Sequence, residues 1–151
     1  MEVEIRTVAT EDAASLAQPL LGLLAELSPG NAPLEVETVA ERLRDARVRV
    51  LVALSEERLI GAATLTLLVT LADGLVGRVE DVIVSPSARG LGVGRSLMDA
   101  LHAEARELGL AHVDLTSRPS REAANAMYLA LGYERRDTNV YRWHPHPRRS
   151  T

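Results

Sequence analysis

"SPSARGLGVGRSL", Ser85 to Leu97, puts glycine at 90, 92 and 94 and then runs into a helical pattern. Glycine costs about 0.5–1 kcal/mol relative to alanine in regular structure. Three in alternate positions therefore mark a backbone that has to be reachable. A strand, a glycine-rich turn and a helix N-terminus together form an anion site, because unpaired amides face the ligand and the helix dipole favours negative charge. Arg89 and Arg95 bracket the glycines and can add charge-assisted hydrogen bonds. Three phosphate readings compete. A P-loop needs Gly-x-x-x-x-Gly-Lys, and the chain contains no lysine. A dinucleotide fold places Gly-x-Gly-x-x-Gly after its first strand, whereas here Gly-x-Gly-x-Gly follows four predicted strands. That leaves a pyrophosphate cradle of another type, against the plain alternative of a turn that binds nothing.

The strands before the cradle are legible by alternation and composition. Val3–Val8 reads as a first strand. Thr10 is placed to cap a helix that runs to Leu27, kinked or restarted at Pro19, and "SPGNAP" (Ser28–Pro33) reads as a loop. Val36, Val39, Ala40 and Leu43 give a short amphipathic helix. Val48–Leu54, Leu59–Leu71 and Leu75–Val84 follow one another through short turns, which predicts an antiparallel meander. After the cradle a helix runs to Leu108 and stops at Gly109. His112–Thr116 is then a strand reached by that helix, hence parallel to the one before it. Ser120 is placed to cap a helix over 121–131 ending at Gly132, and Asn139–Trp143 reads as a last strand. The expectation is one α/β domain over residues 1–143, a mixed, largely antiparallel sheet flanked by helices. Residues 144–151 would be a flexible tail.

Composition narrows the function classes. The 151 residues carry 46% hydrophobic and 25% charged side chains, an ordinary globular balance. No stretch approaches 18 uninterrupted apolar residues and no basic leader precedes an apolar run, so neither membrane nor export is expected. Without cysteine there is no disulfide, thiolate metal site or cysteine nucleophile, which fits a cytoplasmic protein. The four histidines are scattered, at 102, 112, 144 and 146, and suggest no metal site. A net charge of −4 argues against a nucleic-acid surface. All 17 basic residues are arginine.

Arg89-Gly90-Leu91-Gly92-Val93-Gly94 resembles Arg/Gln-x-x-Gly-x-Gly/Ala, the acetyl-CoA signature of the GNAT superfamily of N-acetyltransferases, and "EDVIVSP" before it resembles that family's preceding strand. "EAANAMYLALGYE" (Glu122–Glu134) is similar to its second motif, with Ala124, Tyr128, Leu131, Gly132 and Tyr133 in the matching places. The order of elements fits from Val3 to Trp143. One departure is Arg121, where many members carry an asparagine that touches the cofactor; Asn125, one turn on, is the candidate to replace it.

The resemblance implies acetyl-CoA as co-substrate. Pantetheine would lie along the backbone of Val82, Ile83 and Val84, and the pyrophosphate on the amides of Gly90, Leu91, Gly92, Val93, Gly94 and Arg95, helped by Arg89. Amide formation from a thioester needs a neutral amine, a polarised carbonyl and a protonated leaving sulfur. Backbone amides near Val82 would polarise the carbonyl, and Tyr128 would protonate the sulfur; on the residues alone Tyr128 reads as a packed core tyrosine, and the resemblance puts the acid role ahead. Glu80 is the candidate base, directly or through water, because adjacent strand residues such as Glu80 and Asp81 face opposite sides and only one should reach a given cleft. The acceptor pocket is expected from Leu27–Pro33, the Val36–Leu43 helix and Arg135–Val140, where Asn31, Glu35, Arg135, Arg136 and Asp137 offer both signs of charge. The expected activity is direct acetyl transfer to the amine of a small molecule. A protein N-terminus or lysine as acceptor, and a non-catalytic acyl-CoA sensor, are the alternatives. Many relatives are homodimers, and nothing in the residues settles that state.

Overall fold

The computed structural model describes residues 2–27 and 34–146. The Ser28–Pro33 loop, with Asn31, and the tail beyond residue 146 lie outside the described residues. The chain forms two compact units, Met1–Thr116 and Ser117–Thr151.

In the first unit the order is β1 (Glu4–Thr7), a 3-10 turn (Thr10–Asp12), α1 (Ala13–Leu27), α2 (Val36–Leu43), β2 (Val48–Ser55), β3 (Arg58–Thr70), β4 (Gly74–Val84), a second 3-10 turn (Pro86–Ala88), α3 (Val93–Leu108) and β5 (Val113–Asp114). The strands lie in one sheet in sequence order. β1 to β4 are antiparallel neighbours joined without crossovers, and β5 joins parallel to β4 because α3 carries the chain back along the sheet. This is the mixed, largely antiparallel α/β architecture that the alternation predicts.

Strand alternation sends two sets of apolar residues to opposite faces. Val50, Val52, Ala62 and Ile83 pack with Ala13, Leu16, Leu20 and Leu23 of α1 and Val39 and Leu43 of α2. The other face takes α3, whose Leu97, Met98 and Leu101 are fully buried, each contributing about 1.5–3 kcal/mol of apolar burial. Gly61 of β3 is where α3 comes closest. A Cβ there would sit 3.1 Å from the Ile83 carbonyl oxygen and 3.2 Å from side-chain carbons of Val93 and Leu97.

Two expectations about helix starts are corrected. Thr10 does not cap α1; it opens the 3-10 turn, where the Asp12 amide donates to the Ala9 carbonyl at 2.9 Å, and α1 begins only at Ala13. Pro19 lies inside an unbroken α1, on its exposed side, where water can satisfy the carbonyl that proline leaves without a donor.

The second unit holds α4 (Glu122–Ala130), whose N-cap is Arg121 rather than Ser120. The start of α4 is held by Asn125, whose backbone amide donates to the Arg121 carbonyl at 2.9 Å and whose Nδ2 donates to the Arg118 carbonyl at 3.0 Å. Gly132 ends the helix at φ 98, a conformation open to glycine. The last strand expected over 139–143 is absent. Its alternation is real, but among the described residues it has no partner strand, and Val140, Tyr141 and Trp143 are exposed. β5 is likewise shorter than its pattern, two residues instead of five.

Candidate active site

β5 pairs with β4 only at Gly77–Val113 and Arg78–Asp114. Among the described residues, β4 from Val79 to Val84 is paired with β3 on one side and with no strand on the other. Backbone groups of Val82, Ile83 and Val84 are available along that edge to an extended ligand.

The end of this edge leads into the cradle. Gly90 (φ 78) and Gly92 (φ 77) both adopt the left-handed conformation, and Gly92 is the N-cap of α3. Ser96 is the first amide of the helix to find a backbone partner, the Gly92 carbonyl at 3.0 Å. The amides of Gly90, Leu91, Gly92, Val93, Gly94 and Arg95 have no backbone acceptor among the described residues. No atom comes within 4 Å of the Cβ positions at Gly90 and Gly92, so the space above the turn is open. Gly94 lies against β4: a Cβ there would be 3.7 Å from Val84 Cγ2. Arg89 and Arg95 are exposed beside the turn. Six successive free donors, a helix dipole and two guanidinium groups fit a diphosphate.

Within β4 the register breaks. Thr64 of β3 faces Glu80, and Ala62 faces Ile83, so one extra residue is accommodated on β4. Asp81 takes up the bulge at φ 52. The consequence corrects the expectation that only one of the two acids can face a given cleft. Strict alternation fails at the bulge, and both Glu80 and Asp81 line the same cavity. The signal for Asp81 was thin: only its identity, since aspartate tolerates positive φ better than most residues.

That cavity, about 320 Å³, lies between the α1–α2 layer and the sheet. α1 supplies Leu20, Leu23 and Leu24 to its wall, and α2 supplies Val39, Arg42 and Leu43. Leu34, Val48, Val50, Ala62, Thr64, Thr66 and Ile83 complete it. The Val36–Leu43 helix was expected to line the acceptor pocket, and Glu80 of β4 was expected at the site; α1, β2 and β3 were not named for it. Arg78 Nε donates to Glu80 Oε1 at 3.2 Å. Burial pushes the Asp81 carboxyl above its usual range, and the neighbouring Glu80 carboxylate pushes it the same way. A hydrogen bond with Thr64 and the charge of Arg42 oppose the rise.

In the second unit, Asn125 and Tyr128 stand three positions apart on α4, on one side of the helix. Tyr128 is buried, and its ring meets that of Tyr133 edge to face, centroids 5.9 Å apart. The Tyr133 amide donates to the Tyr128 carbonyl at 3.0 Å. Among the described residues no cluster of histidine, cysteine, aspartate or glutamate could hold a metal ion, and no helix is long and apolar enough to cross a membrane.

The strand edge, the bulge and the amide cradle follow one another along β4 and the turn after it, in an α/β fold that comparison with known proteins assigns to a family. Residues 20–133, more than half of the chain, match the model of the Acetyltransferase (GNAT) family. The chain belongs to that family and is an N-acetyltransferase. It is 33% identical over 142 residues to an aminoglycoside N(6')-acetyltransferase type 1 of Stenotrophomonas maltophilia, covering 91% of this chain and 90% of that one. It is 31% identical over 137 residues to a glucosamine 6-phosphate N-acetyltransferase of Trypanosoma brucei brucei, covering 88% and 90%. The fold matches that of the aminoglycoside N-acetyltransferase AAC(6')-Iy in complex with CoA, at a TM-score of 0.81 and 20% identity over 96% of each chain.

Proposed function

We propose that this chain moves the acetyl group of acetyl-CoA onto the primary amine of a small molecule in a ternary complex. The observation that carries the reading is the meeting, at the Asp81 bulge, of an open β4 edge with a cavity holding two carboxylates. The edge and cradle suit one substrate, and the cavity suits an ammonium. The names of the relatives, an aminoglycoside and a glucosamine 6-phosphate N-acetyltransferase, support a small-molecule acceptor.

In this reading the Gly90–Arg95 amides, with Arg89, hold the diphosphate, and Val82 to Val84 pair with the pantetheine arm. Asn125 contributes its Oδ1 and the second N–H of its Nδ2, the first being donated to the Arg118 carbonyl. Glu80 and Asp81 receive the incoming ammonium and take its proton, directly or through water. The amine lone pair then attacks the thioester carbonyl, whose oxygen is polarised by backbone amides near Val82. As the new C–N bond forms and the C–S bond breaks, the sulfur leaves with the electron pair and takes a proton from the Tyr128 hydroxyl. The chain has no cysteine to carry an acyl intermediate, so attack is direct.

Steady-state kinetics test this. Varying acetyl-CoA at several fixed concentrations of an acceptor amine should give intersecting double-reciprocal lines. Parallel lines would indicate a covalent acyl-enzyme and overturn direct attack.

A further inference from the structure

Resting on the transferase reading above, we infer that the acceptor is a monocationic primary amine with an apolar body, an alkyl- or arylalkylamine, and not a polycationic aminosugar or a phosphorylated amine. The wall opposite the bulge is aliphatic: Leu20, Leu23, Leu24, Leu43 and Val50 offer no hydrogen bond to a hydroxyl-rich ring. Sugar hydroxyls taken there would lose their water without replacement, whereas a hydrocarbon body gains by the transfer.

Charge gives the same answer. Among the described residues the charged groups lining the cavity are Glu80, Asp81 and Arg42, and Glu80 is already paired with Arg78 at 3.2 Å, which leaves the Asp81 carboxylate for a single ammonium. A second or third ammonium would enter an apolar space with no carboxylate left to pair with. A phosphate would face the Glu80 and Asp81 carboxylates, with Arg78 already engaged by Glu80. The pressure on Asp81 from burial and from Glu80 is the pressure a bound cation relieves. Thr64 stands opposite Glu80 across the β3–β4 pair, with Thr66 next on the same face of β3, so the amine of the ligand is met at the bulge of that pair. At about 320 Å³ the cavity is near the small end of ligand sites.

The full chain, with saturating acetyl-CoA and thiol release as readout, decides the matter on five amines: 2-phenylethylamine, hexylamine, neamine, glucosamine 6-phosphate and 2-aminoethylphosphonate. The expected result is a kcat/KM for the better of the first two at least tenfold above that of each of the other three. A smaller margin, or a preference for a polar amine, overturns this inference and leaves the transferase reading standing. Turnover of none of the five overturns both.

Discussion

Asp81 sits at φ 52 within β4, in a cavity that disfavours its charge. Aspartate and asparagine are the side chains other than glycine that best tolerate this backbone. Asp81→Asn therefore keeps the bulge and removes the charge. Because the folded chain holds the Asp81 proton more tightly than the unfolded chain does, stability falls as pH rises through the ordinary carboxylate range towards the raised folded value. Above that value the charge is a fixed cost. The variant should be more stable than wild type at pH 7, and the difference should disappear near pH 3, as urea midpoints at the two pH values will show. Its kcat/KM for an acceptor amine should fall by about tenfold or more, on the scale of proton-transfer assistance. Greater stability with unchanged activity would leave Asp81 outside the chemistry. Tyr128 raises the complementary question. Tyr128→Phe retains the ring packed on Tyr133 and removes the hydroxyl, so kcat should fall about 10- to 1,000-fold with little change in acetyl-CoA affinity. Wild-type kcat under chemistry-limited conditions would return Tyr128 to a packing role. At this scale the sequence was only half informative. The two acids and the tyrosine stand out by identity, but the bulge that aligns both acids depends on how β3 and β4 pair, which no local pattern encodes.

Among the elements, the glycine turn and α3 act together. Gly92→Val places a branched side chain at φ 77 and at the mouth of the amide cradle. Acetyl-CoA binding by calorimetry should be lost, while the far-ultraviolet circular dichroism of the variant reports whether α3 has survived. Intact affinity in a folded variant would mean that the diphosphate lies elsewhere. Gly61 works by closeness instead of conformation. Gly61→Val forces carbon against the Ile83 carbonyl and the Val93 and Leu97 side chains, and should destabilise the fold by about 1–3 kcal/mol in denaturant melts. Most elements were legible because each carries its own period. The β2–β3–β4 meander, α2 and the strand–turn–helix around Gly90–Gly94 appear where alternation, helical spacing and glycine placed them. The misses have local causes. Thr10 and Ser120 have the right chemistry for caps, but the chain enters α1 through a 3-10 turn and α4 through a turn closed on Arg118. Residues 139–143 have a strand's composition, and a strand exists only where a second one pairs with it.

The whole chain shows two further consequences of its composition. It has no lysine, and arginine is too fully protonated to be acylated. An untagged protein of this sequence incubated with acetyl-CoA should take up at most one stable acetyl group, on its N-terminal amine, whose pKa near 8 leaves part of it neutral. Peptide mapping by mass spectrometry will locate it. Trp143 is the single tryptophan and is 83% exposed, so its fluorescence should be red-shifted and freely quenched by acrylamide. A blue-shifted, protected signal would mean that something covers the 139–143 segment in solution. The central claim is that the chain joins acetyl to nitrogen on a small amine. The most direct test is mass spectrometry of the small-molecule products after reaction with isotopically labelled acetyl-CoA and the amine panel. The account predicts a labelled N-acetyl amine and free CoA in equal amounts, formed more slowly together in Asp81→Asn. Free CoA accompanied by labelled acetate, with no labelled amide, would contradict it.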